Sequence, residues 1–348
     1  MSGTQPAHSP YLAVREEWLA QRVEPALDPS LPIIDPHHHL WDRADWRYLI
    51  RDFAADLAPG DNQGHNIVST VFIQCRAMHR AHGPEAFRPG GETEFVLGQA
   101  AMSDSGAFGS TRVALGIVGH VDLRHGALAR NVLEAHIAAG NGRFRGIRHI
   151  STWDADSSLL NPAYQPPRDM FHTAEFREGF AQLAPLGLSF DAWLYHPQIG
   201  DLATLARAFP GTQIILDHVG GPLGIGPYAG RRDEVFANWK ASIRDLAKCP
   251  NVAVKLGGLG MRIGGFGFEA GALPPSSDDL VAAWKPYIET CIEAFGASRC
   301  MFQSNFPVDK GSYGYGVFWN ACKKLAAGVS PSEKAALFHD TAARVYRI

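Results

Sequence analysis

The segment Asp35-Pro36-His37-His38-His39-Leu40-Trp41-Asp42 sets three imidazoles in a row at the end of a short apolar run. In an extended chain alternate side chains share a face, so His37 and His39 point together and His38 points away. Two imidazoles on one face can hold a metal ion or move a proton near neutral pH. Two further histidines close apolar runs in the same manner, His196 in DAWLYHP and His218 in ILDHVGG. Either alone reads as a structural histidine. Together with His37 and His39 they converge on one cavity if the runs they terminate are parallel strands curled into a barrel.

Basic residues recur at the same places: Arg76 and Arg80 after the second run, Arg148 inside FRGIRHI, Arg262 and Lys310 after later runs. An unpaired guanidinium inside a strand is expensive, and arginine grips carboxylates bidentately, so a mouth of this kind favours an anionic ligand. Trp41, Trp46, Trp153, Trp193, Tyr195, Tyr313 and Tyr315 fall in the same loops and could wall a ring-shaped molecule. Glu92 and Glu94 read as the start of a helix, where carboxylates meet the positive end of the macrodipole.

The elements that must position these groups are eight short apolar runs: 31–35, 69–75, 112–118, 144–150, 188–194, 212–217, 251–256 and 299–304. Each is apolar on both faces, as parallel strands between helices are, and most alternate with helical periodicity. In 278–296 the residues Leu280, Val281, Trp284, Tyr287, Ile288, Cys291, Ile292 and Phe295 form one stripe, and Ser330-Pro331-Ser332-Glu333 is a capping box. Eight strand-helix units predict an α/β fold, a (β/α)8 barrel over residues 31–348, preceded by an extension at 1–30 whose amphipathic YLAVREEWLAQRV would serve as lid or bottom plug. A doubly wound sheet is disfavoured because no G-x-G-x-x-G or phosphate-loop motif follows the first run.

Composition narrows the function. With 32 Lys+Arg against 35 Asp+Glu over 348 residues, the near-neutral charge argues against nucleic acid or an anionic membrane as partner. No run approaches a membrane span, the N-terminal residues lack the features of a secretory signal, and five scattered cysteines without a C-x-x-C pair read as reduced thiols. The expectation is a cytoplasmic protein with a small-molecule ligand and a homo-oligomer left open.

The order D-x-H-x-H-L-W, a histidine after the fifth strand, a D-H-x-G turn after the sixth and Ser304-Asn305-Phe306-Pro307-Val308 after the eighth resembles the amidohydrolase superfamily. Within it the chain is most similar to the lactonase-like branch, which includes the 2-pyrone-4,6-dicarboxylate and sugar-acid lactonases. The resemblance spans about residues 31–348, through Thr341-Ala342-Ala343-Arg344-Val345-Tyr346. It implies a divalent metal, zinc foremost, on His37, His39 and His196, with His218 polarising the scissile carbonyl.

One departure matters. The superfamily usually places a metal-binding, proton-accepting aspartate where this chain has Asn305. An amide cannot accept that proton, and three imidazoles with an amide give an ion no anionic ligand. Asp309 and His218 are the candidates for the missing base, and Asp35 and Asp217 for hydrogen-bonding partners. The expected activity is hydrolysis of a small anionic cyclic ester, a lactone, with Arg148, Arg76, Trp41 and Tyr195 binding it. The alternatives are decarboxylation or lactone isomerisation on the same scaffold, and a non-catalytic binding barrel.

Overall fold

The computed structural model describes residues 11–58, 64–161 and 163–348. Eight strands form one sheet: β1 Pro32–His38, β2 Asn66–Ile73, β3 Arg112–Gly119, β4 Phe144–Ile150, β5 Ser189–Trp193, β6 Ile214–Leu216, β7 Val252–Leu256 and β8 Cys300–Phe302. They pair in chain order and every pair is parallel. β1 meets β8 through a bridge between His38 and Phe306, where His39 N donates to Phe306 O (2.8 Å) and Asn305 N donates to His37 O (3.0 Å). The sheet is therefore a nearly closed (β/α)8 barrel, and every run read as a strand in the sequence contributes one.

Helices return the chain between strands, among them Gly90–Asp104, Ala129–Ala139, Ile199–Ala208, Arg232–Leu246 and Ser277–Phe295. The last buries Leu280, Trp284, Tyr287, Ile288, Cys291 and Phe295, and leaves Val281 and Ile292 half-buried, as its stripe required. Ser330 caps a short helix, Pro331–Ala335, through the expected reciprocal bonds with Glu333. All five cysteines are buried and none is in a disulfide. Among the described residues no helix is long and apolar enough to cross a membrane.

The closing helix, Thr341–Tyr346, plugs the barrel. Ala342, Val345 and Tyr346 pack against Ile34, Val71, Ile73, Val118, Ile215, Ala253 and Met301, the inward side chains of six strands. Arg347 reaches the carbonyl of Arg145 at the start of β4, so the plug sits at the end away from the histidines.

The N-terminal extension differs from expectation. Of the amphipathic stretch only Glu16–Leu19 is helical, because this segment is tied to neighbouring loops instead of to its own preceding turn. Trp18 Nε1 donates to Gly271 O (3.1 Å), Arg22 Nε to Pro274 O (3.2 Å), and Glu16 pairs with Lys310 (2.9 Å). These partners lie in the loops after β7 and β8, so residues 11–22 cover the histidine end and do not plug the bottom. Residues 1–10 of the predicted extension lie outside the described residues.

Tyr346 is fully buried, and its hydroxyl donates to Asp191 Oδ1 (2.6 Å) inside the barrel. Tyr346→Ala should cost on the order of 3–5 kcal/mol, through lost apolar contact and the loss of one of the two donors to Asp191 Oδ1. A urea midpoint within error of wild type would show that the plug does not hold the barrel.

Candidate active site

Parallel closure gathers three of the four histidines. The His37 ring lies 4.9 Å from that of His39 and 4.5 Å from that of His218. His38 points outward as the alternation required: its Nε2 bonds Thr70 Oγ1 (2.9 Å) and its ring stacks on Phe53 (4.5 Å). His39 Nδ1 donates to Ile73 O (2.7 Å), which fixes the tautomer and leaves Nε2 with a lone pair.

His218 comes from a sharper device. His218, Val219, Gly220 and Gly221 all have positive φ, between 48° and 76°, a run costly for a β-branched residue such as Val219. This left-handed turn throws the imidazole inward. Gln303 Nε2 donates to His218 Nδ1 (3.0 Å), so the proton of the neutral ring is on Nε2. Gly258, itself at φ +72°, makes the room: a Cβ there would stand 2.2 Å from His218 Nδ1.

His196 is not with the other three. It heads the turn after β5, its Nδ1 accepts from Leu223 N (3.3 Å), its ring packs edge-on to Tyr228 (5.2 Å), and it does not line the central cavity. The ligand trio His37, His39 and His196 is thus not assembled. Among the described residues, the one group of three or more donors spaced for a metal ion is His37, Asp217 and His218, whose donor atoms lie within 4.8 Å of one another.

Beneath these rings lies a buried charge network that was not read from the sequence. Lys255, fully buried on β7, places Nζ 2.5 Å from Asp191 Oδ1, 3.1 Å from Asp217 Oδ1 and 3.2 Å from His37 Nδ1. Arg148 on β4 donates Nη1 to His37 Nε2 (3.3 Å) and Nη2 to Gln74 O, and lies 3.9 Å from Asp217 Oδ2. Both His37 nitrogens thus face a group that only donates, Arg148 at Nε2 and Lys255 at Nδ1, and Nδ1 also lies 3.5 Å from Asp217 Oδ1. Lysine and aspartate inside the otherwise apolar runs NVAVKL and LSFDAWL were the available signal, since unpaired charge does not persist in a strand interior.

Electrostatics follow from this network. Burial, reinforced by Lys255, holds the His37 imidazole far below its ordinary pKa. Burial and then Arg148 do the same for His39 and His218. Burial lifts Asp217 to about 6 against the pull of Lys255. All three site histidines are neutral near pH 7.

Asn305 lines the cavity at φ +58°, and its Nδ2 donates to Asp309 Oδ1 (2.8 Å). Asp309 lies behind it, fully buried, accepting also from Tyr313 Oη (2.5 Å) and Gly260 N (3.1 Å), and burial raises it to about 7. It does not border the cavity, so it acts on the site through Asn305. Lys310 pairs with Asp56 (2.6 Å), not with Asp309. Asp35, on β1 itself, likewise does not border the cavity and accepts from Ser304 and Tyr315.

The central cavity, about 720 Å³, is bordered by His39, His218, Arg148 and Asn305, with Trp41, Trp193 and Tyr195 among its aromatic walls. Trp41 stacks on His39 (5.8 Å, 22°), and Tyr195 Oη donates to Leu159 O (2.5 Å), holding the covering loop. Arg76 lies outside this cavity: it borders a second one and donates to Ala163 O. Glu92 does open a helix, and it also accepts from Cys75 N and Ala77 N (2.8 Å each), bracing the segment after β2.

Whether a divalent ion suits this site is decided by its donors. Two neutral imidazoles and a carboxylate match zinc-type chemistry, and both Asp217 oxygens lack a well-formed hydrogen bond despite full burial. The set fits. The carboxylate is Asp217 rather than residue 305, which supplies the anionic ligand that Asn305 cannot. Lys255 and Arg148 touch the same atoms, so an ion and these two cations compete for His37 and Asp217.

Two measurements test this arrangement. Lys255→Met strands Asp191 and Asp217 without their cation and should cost about 3–5 kcal/mol in chemical denaturation; a change below about 1 kcal/mol would mean the network is not holding the barrel. Gly258→Ala should leave the far-ultraviolet spectrum intact and lower kcat/KM for the hydrolysis expected from the sequence at least about tenfold by displacing His218, a loss of roughly 1.4 kcal/mol in transition-state binding. Wild-type kinetics in that variant would show that His218 need not be where the turn puts it.

The amidohydrolase family profile matches residues 34–348. The Sinorhizobium fredii protein y4mH is 36% identical, over 92% of this chain and 99% of its own. An L-fucono-1,5-lactonase of Burkholderia multivorans is 27% identical over 90% of this chain and 96% of its own. Two crystal structures of an amidohydrolase from Burkholderia multivorans each cover 91% of this chain and 99% of theirs: one with HEPES bound, at 26% identity and a TM-score of 0.69, and one with zinc bound, at 25% and 0.64. A barrel whose strand ends bring His37, His39 and His218 to one cavity, and a profile that runs from the first strand to the last residue, make this chain a member of the amidohydrolase family and a hydrolase of its lactonase-like branch.

Proposed function

We propose that this enzyme opens an anionic lactone by attack of water on the ring carbonyl, with His39 moving the proton and His218 polarising the carbonyl. The observation that carries the reading is the pair of fixed tautomers. His39 offers a lone pair at Nε2, His218 offers N–H at Nε2, and both border one cavity on either side of His37. A base and a donor on opposite sides of a carbonyl are what addition of water to an ester requires.

His39 Nε2 takes a proton from water as its oxygen bonds to the carbonyl carbon, and negative charge gathers on the carbonyl oxygen. His218 Nε2–H and the adjacent Arg148 charge stabilise that oxygen. When the tetrahedral species collapses, the bond from carbon to ring oxygen breaks and the His39 proton passes to the leaving alkoxide, giving a hydroxy acid. Asn305, its amide held by Asp309, orients the substrate from the third side. Trp41 and Trp193 enclose the ring and exclude bulk water. A divalent ion held by His37, Asp217 and His218 would, when bound, take the His218 lone pair in place of Gln303 and supply Lewis acidity, acidifying a water beside it. The two L-fucono-1,5-lactonases among the relatives support a lactone as the substrate class.

Asn305 favours a second reading, decarboxylation or isomerisation, because it removes the usual acceptor of the water proton. Product analysis separates the two. Hydrolysis of a sugar 1,5-lactone should release one proton per ring opened and no carbon dioxide, and carbon dioxide from a carboxylated substrate would replace the proposal.

Site variants should behave differently. His218→Asn and His39→Asn should each lower kcat/KM by about 10²–10⁴-fold, the range for a lost acid or base group. Retention of more than a tenth of the activity in either would exclude its role.

The pH profile gives a separate test. Both histidines are neutral across pH 6–8, so neither should produce the limb near 6.5 that a solvated histidine would. Asp309, raised to about 7, accepts the Asn305 amide when ionised. With the ionised form required, kcat/KM should rise through about pH 7 and level off above it, and Asp309→Asn should abolish that rise. A limb near 7 that persists in Asp309→Asn would assign it to another group.

A further inference from the structure

A second cavity of about 470 Å³ adjoins the first, at the ends of β2, β3 and β4. Ile150 and Tyr164 border both, so the two spaces share one wall. Arg76 helps form that partition: its guanidinium lies over the Tyr164 ring at 5.2 Å and donates to Ala163 O.

The two cavities differ in charge. In the first, the arginines are Arg148 and Arg262: Arg148, beside the catalytic histidines, is spent on His37 Nε2 and Gln74 O with only 4% of its surface exposed, and Arg262 is exposed on the loop after β7. Arg148 cannot offer an open fork to a carboxylate without leaving the network that holds His37. The second is bordered by Arg76, Arg80, Arg88 and Arg124, against the carboxylates Glu85 and Asp122. Arg124 is paired with Asp122 (2.6 Å), and Arg80 with Glu94 from outside the lining. Among the described residues, Arg76 and Arg88 bond backbone carbonyls, Ala163 O and Gly83 O, and no carboxylate. Two guanidiniums therefore face this space without a carboxylate partner among the described residues.

The floor is built rather than open. His149 is 4% exposed and its Nε2 lies 2.8 Å from Val121 O, while His120 Nδ1 lies 3.2 Å from Arg148 O. The backbone at Arg76 is left-handed, φ +62°, a conformation that a non-glycine residue keeps only where its surroundings hold it there.

We propose that the second cavity is an oxyanion subsite, and that it receives a carboxylate or phosphate carried on an arm of the lactone whose ring lies in the first. Arg76 and Arg88 are the groups that bind it, by charge-assisted hydrogen bonds of the kind guanidinium makes with both anions. This rests on the lactonase reading for the ring and deepens it. The substrate is a lactone with a charged substituent reaching past Tyr164.

The test has two arms. In the first, inorganic phosphate is titrated calorimetrically into the intact enzyme without any lactone. Arg76→Gln and Arg88→Gln should each weaken binding on the order of tenfold, and Arg262→Gln, in the first cavity, should not. Absence of phosphate binding, or equal loss in all three variants, overturns the subsite, and this arm stands even if no lactone is turned over.

In the second, a neutral aldono-1,5-lactone is compared with the same lactone bearing a phosphate ester on its exocyclic carbon. The charged lactone should have a kcat/KM about tenfold or more above the neutral one. Arg88→Gln should remove that advantage and leave the neutral lactone unchanged, and free phosphate should inhibit the charged substrate competitively. Phosphate binding with equal turnover of the two lactones would make the cavity a site for a free anion and overturn the substrate arm. Hydrolysis of neither lactone, with phosphate bound as described, would strike the lactonase reading and leave the anion site standing.

Discussion

Everything at the catalytic end rests on a cluster of four buried charges around one imidazole. Lys255 and Arg148 face Asp191 and Asp217, and His37 lies between the two cations. Such a cluster is expensive to desolvate and repays its cost only when every partner is in register. The partners come from β4, β5, β6 and β7, with Tyr346 reaching Asp191 from the plug. Barrel closure, the C-terminal helix and the site are thus one cooperative unit.

The same cluster sets the chemistry above it. Burial, reinforced by Arg148 and, at His37 and His218, by Lys255, makes protonation costly, so the three resting imidazoles are neutral and act through fixed lone pairs and N–H groups. Orientation is then the variable left to the protein. It is supplied by Ile73 O for His39, by Gln303 for His218, and by a left-handed turn that fits because Gly258 has no side chain. Strain at Val219 and Asn305 is concentrated where side chains must face the cavity.

Charge is divided between two spaces. Inside the barrel, positive charge is neutralised by aspartates and committed to structure. Beyond Tyr164, guanidiniums that among the described residues bond carbonyl oxygens and no carboxylate keep their charge for something else. To pair with Arg148, a carboxylate in the first space would have to pull it from His37, whereas one in the second displaces nothing from the catalytic groups. Ring chemistry and anion recognition can therefore be separate in this enzyme.

The residue order alone determined the barrel, since eight doubly apolar runs bounded by polar residues have few other ways to be buried, and each became a strand. It determined the pairing of His37 with His39 and the outward turn of His38, because two-residue alternation is a property of the extended backbone. The lone charges of Lys255 and Asp191 were visible in their strands, but which carboxylate would meet which cation depends on the stagger between β5, β6 and β7. The tertiary structure also decided that Asp217, not His196, joins His37 and His218. His196 begins the turn after β5, where one change of backbone direction sends its ring to Tyr228, and no local pattern records that direction. It decided likewise that Asp309 stands behind Asn305 and that Arg76 opens onto a second cavity. Sequence fixes which face of a strand a residue occupies, whereas beyond the strand end only the packing of loops from distant parts of the chain says where a side chain goes.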